Sequence, residues 1–210
     1  LQFFLDAEKN IDPVSDPYSA ENVFFKIGMA YSAVDSFETG NKFYIKGLTS
    51  AESVKDIYYQ ILISTEQSHN LYLNKDFNQA ETLLLKLLAE SKKNGLNQLY
   101  GLQNLYLAKI YLELNQTLKA RNLFQTAAIV AEEEKDYSNL IESEYYLAKT
   151  FRLQDNLAKA EEHYLKAVGI ADKISDDLIN NAEIQISHFS GLKSCYDELA
   201  ELYLEQNRYE

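Results

Sequence analysis

Apolar residues along the chain fall three and four positions apart. One run reads Leu102, Leu105, Tyr106, Leu107, Ile110, Tyr111 and Leu114, and the next Leu118, Leu123, Phe124, Ala127, Ala128 and Ala131. This is the spacing of one face of an α-helix. Between such runs stand short polar groups, Asn74-Lys75-Asp76, Asn115-Gln116-Thr117 and Gln154-Asp155-Asn156. Their Asn, Asp and Thr side chains can accept from the free N–H groups of a helix start, so each group predicts a turn followed by a capped helix. Other breaks carry comparable signals. Asn94-Gly95 after Lys92-Lys93 predicts a helix end with a left-handed cap and cations in the last turn, Asp136-Tyr137-Ser138 a helix start, and Ser15-Asp16-Pro17 a cap with proline at the first helical position.

The pattern also repeats. A small residue followed three positions later by a large apolar one occurs at Gly28/Tyr31, Ser68/Leu71, Ala108/Tyr111 and Ala148/Phe151, each pair forty residues after the last. A second series, Gly40-Tyr44-Gly47, Ala80-Leu84-Leu87, Ala120-Phe124-Ala127 and Ala160-Tyr164-Ala167, keeps the same interval. Self-similarity at a fixed period of this length marks a repeat architecture. Two helices per repeat follow from the apolar runs. The small residues have a mechanical reason, since they let two crossing helices approach while the aromatic a turn away fills the adjoining groove.

Composition agrees and closes off alternatives. The 210 residues contain two prolines, Pro13 and Pro17, and seven glycines, so nothing after Pro17 need break a helix. An all-β fold of short strands would need turn signals every eight to twelve residues or so, and the chain lacks them. With 46% hydrophobic residues, 16 Tyr and 10 Phe, there is more surface to bury than a disordered chain carries.

At this point the residues carry a family resemblance. Leu107-Ala108, Tyr111, Ala120, Phe124 and Ala127, and again Leu147-Ala148, Phe151, Ala160, Tyr164 and Ala167, resemble the tetratricopeptide repeat at every small and large position. Ile27-Gly28, Tyr31, Gly40, Tyr44 and Gly47 match more loosely, and Ser68, Leu71, Ala80, Leu84 and Leu87 more loosely still. The period is forty rather than about thirty-four. Glu52, Lys92, Glu132 and Asp172 stand where the family's proline usually ends the second helix. Both departures predict longer helices. The resemblance implies an all-α fold, a right-handed α-α superhelix or solenoid of antiparallel helix pairs.

The expected organisation is a leader segment 1–16 and an array over 17–210. Its repeats lie at about 20–52, 60–93, 97–135 and 138–174, with an insertion at 174–194 and a partial repeat at 195–210. The insertion follows from Ala200, which lies fifty-two residues after Ala148. Leu178, Ile179, Ala182, Ile186 and Phe189 keep helical spacing there, which predicts a lengthened helix or an extra turn. Asn207-Arg208-Tyr209-Glu210 falls where the partner helix of the fifth repeat would start. That placement predicts a piece of a longer protein, and an open carboxy-terminal interface through which self-association is possible.

Charge and chemistry narrow the function. Thirty-two acidic against twenty basic side chains give a net charge of −12, and the densest basic cluster is Lys92-Lys93, so nucleic acid is not an expected partner. No apolar run approaches a membrane span. The single cysteine, Cys195, excludes an internal disulfide and fits no metal spacing. His69, His163 and His188 are scattered, Glu132-Glu133-Glu134 reads as a solvated helix end, and no nucleophile, phosphate-loop or metal motif is present. The expectation is a non-enzymatic chain without cofactor or metal, in the cytoplasm.

What remains is surface. In the family that the chain resembles, the first helices of successive repeats line a groove that holds a peptide or a partner helix. Carried through the matched columns, that stripe is Phe25 and Met29, then Thr65, Glu66 and His69. Leu105, Tyr106, Lys109 and Leu112 follow, then Glu142, Tyr145, Tyr146, Lys149 and Arg152, and finally Asp197, Glu198 and Glu201. The candidate partner-binding residues are Tyr106, Lys109, Tyr145, Lys149, Arg152 and His69. A basic, aromatic strip in an acidic protein predicts an acidic peptide or terminal carboxylate as partner. One family mode is absent: where the clamp for chaperone tails has Lys, Asn and Arg, this chain has Phe25, Met29, Glu66, Leu102 and Tyr106. The expected function is a protein- or peptide-binding scaffold. The alternative is a peptide-sensing regulatory receptor of a bacterial signalling system, its output domain outside this chain. Ala20–Leu48 has a faint similarity to response-regulator phosphatases and transcription factors of that type.

Overall fold

A computed structural model describes Asp6 and residues 8–178 and 189–206. Among the described residues the backbone forms helices joined by tight turns and no strand. The long helices are α1 (Pro17–Ser32), α2 (Phe37–Ser53), α3 (Ile57–Leu73), α4 (Phe77–Asn94), α5 (Asn97–Glu113), α6 (Thr117–Glu133), α7 (Tyr137–Arg152), α8 (Leu157–Leu178) and α9 (Phe189–Glu205). The fold class is all-α, of helix-pair repeats, as the sequence predicted. The chain divides into two compact units, Leu1–Leu99 and Tyr100–Glu210.

Seven of the turns are built alike. Asp35, Lys55, Lys75, Gly95, Asn115, Lys135 and Asp155 all have φ between 57° and 68°, one every twenty residues. At each, the N–H of that residue donates three residues back at 2.9–3.4 Å and the next N–H donates five back at 2.8–3.0 Å, as Asp56 N to Ala51 O. This double closure satisfies carbonyls that a helix end would leave unpaired. The residue after the left-handed one immediately precedes the first residue of the next helix. Asp16, Asp56, Asp76 and Asp136 cap the helices they precede by accepting the backbone N–H of the residue three positions on. Asn156 does the same for Lys159. Thr117 was expected to cap; instead it is the first residue of α6, and Gln116 holds the cap position without a side-chain bond.

The small-residue columns form the seams. Gly28, Gly40, Gly47, Ser68, Ala80, Ala108, Ala120, Ala127, Ala148, Ala160 and Ala167 are all buried. A Cβ on Gly28 would stand 2.5 Å from Cδ1 of Tyr44, so α1 and α2 can cross this closely because nothing projects there. In the amino-terminal unit Ala20, Phe24, Ile27 and Phe43 form one core cluster and Phe25, Tyr44 and Ile63 another. In the carboxy-terminal unit Ala148, Phe151, Ala160, Tyr164, Leu199 and Leu202 pack together, with Ile141, Ala167 and Cys195 beside them. Through Leu199, Leu202 and Cys195, α9 is therefore anchored on α7 and α8. α8 runs for 22 residues against 17 for α6. The rest of the sequence-predicted insertion between 179 and 188, with His188, lies outside the described residues, as do 207–210.

Candidate functional site

The carboxy-terminal unit brings together five of the six residues singled out from the sequence. Helical spacing puts Tyr106 and Lys109 on one face of α5, and Tyr145, Lys149 and Arg152 on one face of α7. Lys109 pairs with Glu142 of α7. Its Nζ lies 5.5 Å from the Tyr106 ring centre and 5.3 Å from that of Tyr146. Lys149 Nζ approaches the rings of Tyr145 and Tyr146 at 5.4 and 6.0 Å. Tyr146 is therefore approached by two ammonium groups, and the Phe124 ring stacks on it at 5.1 Å. Cations over tyrosine faces are held by the ring quadrupole, most strongly where water is displaced.

Beyond Lys149 the strip becomes an ion-pair ladder. Arg152 donates to Glu198 at 2.5 Å and to Glu205 at 2.6 Å, with Glu201 at 3.3 Å. Glu198 is the hub, since it also accepts from the Tyr164 hydroxyl at 3.2 Å and lies 3.9 Å from Lys149 Nζ. Burial disfavours the Arg152 charge, but its bonds to the Glu205 and Glu198 carboxylates outweigh that and hold the guanidinium above its ordinary value. Burial, with the Glu198 charge beside it, likewise holds the Tyr164 hydroxyl above the usual phenol range.

The strip is thus basic in sequence and largely balanced in charge. Lys109 is only 7% exposed and Tyr106 is also buried, so these two support the face from beneath. Lys149 and Arg152 are half-buried and reach solvent, as does Tyr145. The carboxylates holding Arg152 are unequal: Glu198 is half-buried like Arg152 itself, whereas the Glu201 side chain is 65% exposed and that of Glu205 52%. Glu205 and Tyr164 were not singled out from the sequence. Glu205 is hidden because the twelve-residue offset of the fifth repeat disturbs the register, and Tyr164 because its column reads as packing alone.

His69 belongs to the amino-terminal unit, where it stacks on Tyr72 at 5.9 Å and lies 3.9 Å from Glu66. His163 is structural. Its Nδ1 is 2.6 Å from the buried Glu144, which Lys166 also reaches at 2.8 Å. Burial raises the Glu144 pKa, but the bonds from His163 and Lys166 prevail and leave it below the ordinary value. Cys195 is enclosed, and burial pushes its thiol up to about 12, far from a nucleophile's range. Among the described residues no three or more His, Cys, Asp or Glu side chains converge to hold a metal, and no helix is long and apolar enough to cross a membrane.

Helix hairpins repeated on a seam of small residues, with aromatic and charged side chains on the face of the first helices, define the class of α-helical repeat proteins. Residues 98–173 match the tetratricopeptide repeat family model, and the columns of small and large residues recur along the sequence at a period of forty residues. No curated protein matches it in sequence. Among solved structures it is similar to BtubC (BKLC) from P. vanneervenii, at 15% identity and a TM-score of 0.68 over 99% of this chain and 89% of that one. The apo form of RapI is similar at 19% identity and 0.70, over 97% and 77% of the two chains. A Rap protein complexed with Competence and Sporulation Factor gives 17% and 0.70, over 92% of this chain and 56% of that one. At such identities the likeness is one of fold.

Proposed function

We propose that the chain is a protein- or peptide-binding scaffold that acts without catalysis, and that the α5–α7–α9 face of its carboxy-terminal unit takes an acidic partner. The observation that carries this reading is Arg152, a guanidinium reaching solvent and held in part by the two most exposed carboxylates of the ladder. A partner carboxylate enters by exchange, replacing Glu201 and Glu205, which as exposed partners cost little to release. Lys149 offers a second cation, Tyr145 and Tyr146 an apolar flank, and Tyr106 with Lys109 the support beneath. In the amino-terminal unit His69 is the proposed contact. An exchanged ion pair makes binding modest and strongly salt-dependent.

Selection of peptides from a random display library on the purified chain tests the reading. Acidic motifs are expected, and Lys149→Glu/Arg152→Glu should reduce their affinity at least ten-fold while circular dichroism stays unchanged. Selection of basic motifs, or equal binding to the folded double variant, would refute the exchange. The regulatory-receptor reading rests on the similarity to a Rap protein complexed with Competence and Sporulation Factor. It requires a change of helix-pair geometry on binding, which small-angle scattering with and without a selected peptide would register.

A further inference from the structure

Glu21 is the buried group that the binding face does not use. It lies on α1 at 2% exposure, and its Oε2 has no hydrogen-bond partner. The carboxylate of Asp56, the cap of α3, is within hydrogen-bonding reach of it. Two ionised carboxylates cannot bond to each other, because both only accept. Asp56 already accepts from Tyr59 N at 3.0 Å and stands at a helix N-terminus, where negative charge is favoured. The proton therefore belongs on Glu21, whose carboxyl can then donate to the Asp56 carboxylate. The neighbouring residues make the same joint: Asn22 donates to the Tyr59 hydroxyl at 2.5 Å.

We propose that Glu21 and Asp56 share one proton and form a pH-sensitive clasp between α1 and the first turn of α3. Asp56 is the charged group acting on Glu21, and the Tyr59 phenol on α3, held above its ordinary value chiefly by burial, is neutral near pH 7. From α2, Lys46 is turned to Glu8 at 2.6 Å and Gly47 passes the Glu21 backbone without a side chain. Burial first, then the Asp56 charge, push the Glu21 carboxyl up to about 7. In the unfolded chain an ordinary Glu releases its proton at about 4.3. Between these values the folded form holds a proton that the unfolded form has lost, so the clasp weakens as pH rises through this window. Above it both groups are ionised and repel.

Hydrogen exchange on the full chain at several pH values between 5.5 and 8.5, expressed as protection factors, tests the clasp. Protection of the α1 and early α3 amides should fall at least ten-fold across the range, with α6–α8 unchanged. Glu21→Gln keeps a neutral donor and should abolish the fall; Asp56→Asn keeps the cap and should move its midpoint down by a unit or more. Carbon NMR titration of the Glu21 carboxyl provides an independent reading. A Glu21 midpoint near that of a free Glu, or an undiminished fall in Glu21→Gln, would overturn the proposal.

Discussion

At the scale of single residues, the same amino acid has opposite roles according to what surrounds it. Glu21 and Glu144 are both buried, yet Glu21 faces Asp56 and its pKa rises, whereas Glu144 faces His163 and Lys166 and its pKa falls. Neither outcome follows from helical periodicity, because the partners come from other helices. Glycine shows the same dependence. At Gly28 an added methyl would strike Tyr44, while at Gly169 it would meet nothing within 4 Å. Gly28→Ala is expected to lose about 1–3 kcal/mol to overpacking despite its better helix propensity. Gly169→Ala should gain about 0.5–1 kcal/mol from that propensity alone. Urea unfolding of the two variants beside the parent checks both signs. The sequence marked Gly28 as a seam residue through its place in the forty-residue column; no such signal distinguished Gly169.

At the scale of elements, side chains repeat every forty residues and the backbone every twenty. The forty-residue period was visible because first and second helices carry different small and large columns. The twenty-residue one was not, since the left-handed positions are Asp35, Lys55, Lys75, Gly95, Asn115, Lys135 and Asp155, four different residue types with glycine at only one. Only Gly95 announces its conformation. Hydrogen bonding around each site imposes the left-handed residue and offsets its cost. Replacing Lys55, Lys75 or Lys135 by Gly should therefore stabilise the chain by about 0.5–1 kcal/mol each, the relief of left-handed strain exceeding the entropy gained by the unfolded state. The three sites are far apart in sequence, so their effects should add, and thermal or urea unfolding of the triple variant would check this.

At the scale of the whole molecule, a net charge of −12 sets the background and the ion-pair ladder sets the exception. Arg152 joins α7 to α9 through three glutamates. Arg152→Ala leaves those carboxylates to repel one another, and α9 should lose about 1–2 kcal/mol of docking free energy, part of a typical half-buried network. Hydrogen exchange should show this as a protection loss in α9 and none in α1–α4, and the loss should shrink in high salt. By itself the sequence determined the all-α class, the helix pairs and the seams, because each follows from periodicity along the chain, and the family resemblance supplied the stripe of Tyr106, Lys109, Tyr145, Lys149 and Arg152. Only the tertiary structure decided that Lys109 is enclosed, that Glu198 is a hub and that Arg152 is already paired. Those facts depend on residues 33 to 53 positions apart meeting in space, and pairing across that separation leaves no period to read.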